Sequence, residues 1–285
     1  MKLLFFTTLK TKLLSFLLAI FITGPVASSQ FQFAYWHCLD VGNYTINGAY
    51  QYNVINLLHN LTNQAFLSGF GSSSVGEGQE KVYTIYNCRG DLDSQQCHDC
   101  VKEAAQEILE RCPSEKESIV WFEECMVRYA NRSLISLKEE SPYSWGYLAT
   151  VNDDPSPQLY SIVAEKIEGL IEQAAYNRAT RGFALDIANI ALLDNLYILV
   201  QCTADILGMP CERCLRAAFK SMAEYAEMGK SIPLMMLYPS CHIRYDREPI
   251  LLNGADYSPS YPPLPVAASP SIYIMPPTTG SMLLK

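Results

Sequence analysis

Three cysteines at the spacing C-x8-C-x2-C, Cys88, Cys97 and Cys100, recur 114 residues later as Cys202, Cys211 and Cys214. The same shift lays "VYTIYNC" on "LYILVQC", and a shift of 116 lays "ECMVRY" (Glu124 to Tyr129) on "SCHIRY" (Ser240 to Tyr245). A self-match at fixed offset means two copies of one structural unit, with a two-residue insertion in the second copy between the motifs.

The first copy holds six cysteines, Cys38, Cys88, Cys97, Cys100, Cys112 and Cys125, and the second holds four, Cys202, Cys211, Cys214 and Cys241. The second lacks counterparts of Cys38 and Cys112. If each copy closes on itself, the loss of both leaves no orphan thiol only when the two are partners, which leaves three connectivities for the first copy. One of the three joins Cys97 to Cys100, neighbours on a single helical turn, and is strained. Of the remaining two, Cys88–Cys97 with Cys100–Cys125 is preferred over its crossed alternative, with Cys202–Cys211 and Cys214–Cys241 in the second copy. A bridge of this kind contributes about 2–4 kcal/mol, so the second copy, one bridge short, should be the softer.

Each copy reads as helix, strand, helix, strands. Val54, Leu57, Leu58, Leu61 and Ala65 form one apolar helical stripe, matched by Val163, Ile167, Leu170, Ile171 and Ala174. A second helix puts Cys97, Cys100, Val101, Ala104 and Ile108 on one face, matched by Cys211, Cys214, Leu215, Ala218 and Met222. "KVYTIYNC" and "SIVWFEECMVRYA" are rich in aromatic and β-branched residues and read as strands. This order predicts an α+β fold of two tandem domains, each an antiparallel sheet with helices on one face.

Domain boundaries follow. Residues 1–29 read as a signal peptide: Lys2, Lys10 and Lys12 precede the apolar run Leu13 to Ile22, which Gly24 and Pro25 break before Ala27, Ser28 and Ser29. The run is too short for a membrane span, which needs about 20 residues. The first domain is expected over 30–140, a linker containing "NDDPSPQ" over 141–158, the second domain over 159–252, and a Pro-rich tail without helix or strand signal over 253–285. Ten cysteines behind a secretory leader suit an oxidising, extracellular compartment. Removing the leader with its three lysines moves the formal charge from −8 to −11, which argues against nucleic acid or anionic lipid as partner.

The paired C-x8-C-x2-C units, together with "CLDVGNYTINGAYQYNVINLLHNL" and "WFEECMVRYANRS" in the first copy and "LYILVQCTADILGMPCERC" and "YPSCHIRY" in the second, resemble the ginkbilobin-homologous, or stress-antifungal, domain of plants. That domain occurs in tandem in cysteine-rich repeat secretory proteins and in the ectodomains of cysteine-rich receptor-like kinases. The resemblance implies a five-stranded antiparallel sheet with two helices on one face, and the disulfide pairing preferred above. It also implies a setting in the apoplast, in stress or defence.

One founding family member binds mannose through an asparagine directly after the first cysteine, an arginine six residues before the last and a glutamate five after it. Those positions hold Leu39, Ile119 and Ala130 in the first copy; in the second the first is undefined and the others are Met235 and Asp246. A sugar site needs convergent hydrogen-bonding groups, so mannose binding by that route is not expected.

Other constellations point to structure rather than chemistry. Cys97, His98, Asp99 and Cys100 could be a zinc knuckle, but disulfides fit the secreted context better, and no metal or cofactor is expected. The same C-x2-C lacks the βαβ pattern of a thioredoxin-like centre. Arg89, Gly90 and Asp91 spell an adhesion tripeptide, yet the second copy has "TAD" there, and a Gly-Asp turn accounts for it. The sequons at Asn43, Asn60 and Asn131 mark glycan acceptors, all in the first copy, leaving the second as the freer face, where Met235 and Met236 are adaptable contacts or buried strand residues. His37, His59, His98 and His242 accompany no nucleophile, and Glu123 and Glu124, read as strand neighbours, should point to opposite faces. The expected function is therefore non-catalytic recognition of an extracellular protein or carbohydrate, with a receptor-like kinase among the partners considered. The alternatives are an antifungal lectin and a truncated receptor-kinase ectodomain.

Overall fold

A computed structural model of the chain describes residues 31–146, 157–188, 195–227, 235–246 and 249–250. The leader expected at 1–29 and the tail expected at 253–285 lie outside the described residues.

The first copy contains β1 (Phe33–Asn43), α1 (Ala49–Ala65), β2 (Phe70–Val75), β3 (Val82–Cys88), α2 (Ser94–Arg111), β4 (Glu115–Phe122) and β5 (Cys125–Ala130). Its antiparallel sheet runs in the order β1-β4-β5-β3-β2. The second contains β6 (Ser144–Gly146), α3 (Pro157–Tyr176), β7 (Phe183–Ala188), β8 (Leu196–Cys202), α4 (Met209–Glu227), β9 (Met235–Leu237) and β10 (Cys241–Asp246), with sheet order β6-β9-β10-β8-β7. The two sheets have one topology, as the repeat requires. Residues 144–146, inside the stretch read as linker, supply the outer strand of the second sheet and pair with β9. Three residues are too few to show a period of two, which hid this strand in the sequence.

Helix α1 buries Tyr50, Val54, Leu57, Leu58, Leu61 and Ala65 against its sheet, the predicted stripe extended by one turn. Helix α2 starts in a capping box: Gln96 N donates to Asp93 Oδ1 at 2.8 Å, and Asp93 N donates to the Gln96 side-chain oxygen at 3.1 Å. Two orphan N–H groups of the first turn are satisfied in this way.

Five disulfides join Cys38 to Cys112, Cys88 to Cys97, Cys100 to Cys125, Cys202 to Cys211 and Cys214 to Cys241. Cys88 lies opposite Cys125 on neighbouring strands β3 and β5, as Cys202 lies opposite Cys241 on β8 and β10. One cysteine of each such pair bonds to the N-terminal turn of the overlying helix and the other to the turn above it, so the C-x2-C spacing clamps one helix to two strands.

Candidate functional site

The face of the first sheet away from its helices is covered over its middle strands. Along β4 and β5, Val120, Phe122, Cys125, Val127 and Tyr129 join the core beneath the helices, while Ile119, Trp121, Met126 and Ala130 join a second apolar cluster with Ile85 and Leu134. That cluster is closed by Leu237 and Met235 of the second copy. Alternation along a strand sends side chains to both faces, and here both are buried because the second copy covers the outer one.

This seam gathers the positions that the resemblance made into a sugar site. Ile119 and Ala130 are each 0% exposed within the apolar cluster, and Leu39 and Met235 pack against it. Asp246, the one acidic position, takes a hydrogen bond from Arg244 Nη2 at 2.9 Å. Where the resemblance called for polar groups open to a sugar, the described residues of the first copy bury hydrocarbon.

Around the apolar cluster runs a polar border with internal symmetry. Gly90 N donates to Gln201 Oε1 at 3.3 Å, and at the equivalent place Ala204 N donates to Asn87 Oδ1 at 3.3 Å. Gln201 Nε2 also donates to the carbonyl of Cys88 at 2.8 Å. The segment after β5 adds further ties: Ser136 N donates to Asp205 Oδ2 at 2.7 Å and Glu139 N to Ser240 Oγ at 2.8 Å. Asn87 and Gln201 were not singled out in the sequence, although each is a polar residue directly before the first cysteine of its motif, at the end of an otherwise apolar strand.

The charged part of the seam holds Arg89, which is 3% exposed. Its Nε and Nη2 donate to the two carboxylate oxygens of Asp91 at 2.6 and 3.1 Å. The adhesion tripeptide is thus folded on itself within the seam, with Gly90 against Phe183. Arg244 bridges the copies by pairing with Glu123 as well as Asp246.

The expectation for Glu123 and Glu124 is corrected. They form the turn between β4 and β5 rather than adjacent strand positions, and both line one cavity of about 20 Å³ together with Asn87, Arg89, Thr203 and His242. A turn without Gly or Pro inside an apolar run carries no local signal, which is why the sequence read it as strand. Burial pushes the Glu124 carboxyl up to about 7, with Arg89 opposing at 3.8 Å; burial, then the Arg89 and Arg244 charges, hold His242 down at about 4.

A separate buried cluster lies on the outer face of β5. Arg128 pairs with Glu117 and Glu139, and Arg132 bonds the same two carboxylates. The other histidines are apart from both clusters. His98 stacks on Phe66 with ring centroids 3.7 Å apart and bonds the Thr62 carbonyl at 2.7 Å, while His37 and His59 are exposed. The sulfurs of Cys97 and Cys100 are engaged in separate disulfides, which removes the thiolates a zinc knuckle would need. Cys38, Cys112 and Glu115 come together, but the two sulfurs are bonded to each other. The side chains of Asn43, Asn60 and Asn131 are exposed.

The profile of the salt stress response/antifungal family matches residues 37–132 and 155–248, one match on each copy. The chain belongs to this family. Over 214 residues it is 34% identical to cysteine-rich repeat secretory protein 1 of Arabidopsis thaliana, covering 73% of this chain and 60% of that protein. It is 31% identical to cysteine-rich receptor-like protein kinase 25 of the same plant, over 89% of this chain but 38% of the kinase. The antimicrobial ginkbilobin-2-like protein of Castanea crenata is 29% identical, with 76% of this chain and 88% of that protein covered. The chain thus spans 60% and 38% of the length of the first two relatives. In fold it matches the tandem DUF26 ectodomain of the Arabidopsis thaliana cysteine-rich receptor-like protein PDLP8, with a TM-score of 0.62 at 18% identity, over 75% of this chain and 97% of that one. The α+β architecture of two stapled five-stranded sheets is that of this structure.

Proposed function

We propose that this member of the family is an extracellular, non-catalytic recognition protein acting in plant stress or defence, and that it engages a protein partner rather than mannose. The observation that carries this reading is the seam: the positions equivalent to the family's sugar-binding groups are filled by Leu39, Ile119, Ala130 and Met235 and packed into an apolar cluster. The secretory and antimicrobial names of two relatives support the extracellular setting. Glycans on Asn43, Asn60 and Asn131 would occupy exposed ground on the first copy and leave the second for contact.

A glycan array probed with purified protein tests the reading directly. No mannan binding, with a discrete partner recovered by affinity capture from cell-wall fluid, is the expected result. Saturable mannan affinity would replace it with a direct antifungal lectin.

A second reading, the ectodomain of a cysteine-rich receptor-like kinase, is favoured by the match of 89% of this chain to 38% of such a kinase. Full-length transcript sequencing decides between them: a reading frame that continues past Lys285 into a membrane helix and kinase domain selects the ectodomain.

A further inference from the structure

Each sheet ends in two outer strands, and three of the four offer a partner little. Strand β6 has three residues, β7 is mostly buried, and β2 presents chiefly glycine and serine. Strand β1 differs: it runs for 11 residues, pairs only with β4 among the described residues, and exposes most of its side chains. Register shifts interrupt it between Phe33 and Tyr35 and between Leu39 and Asn43, leaving 35–39 as a regular ladder against 117–121. Every second residue of such an edge turns its N–H and C=O away from the neighbouring strand. Those groups are a template for a further strand.

This edge is held in place. Cys38, within the regular stretch, is bonded to Cys112 at the end of α2, a bridge the second copy lacks. An edge fixed in its extended form loses little freedom when a partner arrives. Beside it stands an aromatic ledge: Trp36 is 37% and Tyr35 41% exposed, with ring centroids 5.7 Å apart. The Arg111 guanidinium lies 4.4 Å from the Trp36 ring and 4.1 Å from that of Phe33, and Glu107 holds it at 2.6 Å.

The second copy has the equivalent indole. Trp145 lies opposite Met236 as Trp36 lies opposite Val120, and Tyr225 stands against it where the first copy has Arg111. A tryptophan here closes the end of the sheet in both copies. What the first copy adds is the long, stapled edge beside it.

Residues 35–39 contain no Lys, Arg, Asp or Glu, in a chain whose formal charge is −8. An acidic chain repels a second copy of itself, so the neutral edge suits a segment of a different protein. Asn43 lies past the second register shift, which puts a glycan there outside the ladder.

We propose that residues 35–39 of β1 are the docking edge for the protein partner, which adds an uncharged extended segment to the five-stranded sheet, with an apolar side chain set against Trp36. The proposal rests on the protein-partner reading above and gives it a site: main-chain hydrogen bonds supply affinity, and the ledge selects the side chain.

A displayed library of random dodecapeptides, selected on the purified full chain, tests the edge. Enriched peptides should carry an alternating apolar and polar stretch, and their binding should slow hydrogen exchange at alternate amides of 35–39, which contact through side chains alone would not do. Trp36→Ala should weaken binding by about tenfold. The double change Tyr35→Lys, His37→Lys, at two exposed side chains, should weaken it as well and keeps the fold even if Trp36→Ala does not. No enrichment, or binding that leaves those amides unchanged, would overturn the docking edge. So would a dimer in sedimentation that protects the same amides, since a second copy would then occupy it. Capture from cell-wall fluid separates the two levels: a discrete partner held equally by wild type and the lysine variant keeps the protein-partner reading and removes the edge, whereas a partner lost only with the variant supports both.

Discussion

Asn87 and Gln201 stand at the same place in the two copies, and each accepts a backbone N–H from the other copy, Asn87 from Ala204 and Gln201 from Gly90. Thr203 N and Arg89 N likewise occupy equivalent places, donating to the carbonyls of Ser240 and Glu124 at 2.9 and 2.7 Å. The two copies meet through matching patches, as subunits do about a two-fold axis, although they belong to one chain and differ in sequence.

Gln201 should therefore matter more than a strand-end polar residue ordinarily does. Its removal in Gln201→Ala leaves the Cys88 carbonyl and the Gly90 N–H without their cross-copy partner in a buried setting, at about 1–3 kcal/mol. Equilibrium denaturation would measure it. A change below about 0.5 kcal/mol, the scale of an ordinary surface substitution, would show that the border contributes no stability.

Gly90 has no room for a side chain. An added Cβ would lie 2.4 Å from Cβ and Cγ of Phe183. Gly90→Ala is expected to push the copies apart locally and destabilise by about 1–3 kcal/mol, while a Phe183→Ala change in the same background should relieve the clash. Equal loss in both backgrounds would mean the contact is not maintained in solution.

Arg128 is the buried charge most exposed to mutational loss. Replacing it by Met preserves volume but leaves Glu117, whose side chain is 2% exposed, with Arg132 alone. Because Arg132 still bonds Glu117, the loss is that of one charge-assisted partner, about 1–3 kcal/mol, measurable as a shift in urea midpoint. Adding Glu117→Gln should recover part of the loss, so strict additivity of the two changes would contradict the ion-pair account.

The bridge between Cys38 and Cys112 ties edge strand β1 to the end of α2 across a sequence separation of 74 and has no equivalent in the second copy. The paired change Cys38→Ala, Cys112→Ala should lower stability by about 2–4 kcal/mol. Hydrogen exchange should locate the effect in β1 and β4, leaving the second copy unchanged. Global loosening would instead show that the seam transmits it.

Much of the scaffold was legible because it is written in short periods. The apolar stripe Val54 to Ala65 and the paired cysteines on one face of α2 repeat at helical spacing, and the second copy repeats both, so fold class and helix faces followed from local pattern. The seam was not legible. Ile119 and Ala130 read as strand residues without a partner for their outward face, Glu123 and Glu124 read as continuing strand, and 144–146 read as linker.

The chain's own residues, then, determine two disulfide-stapled copies, because the turn of a helix and the alternation of a strand act over a few residues. Tertiary structure alone decided that the outer face of one sheet is the floor of an interface, that Gln201 reaches Cys88, and that Glu124 and His242 share a cavity. Those relationships join groups more than 100 residues apart, whose meeting depends on register and packing of two complete units rather than on any pattern within either.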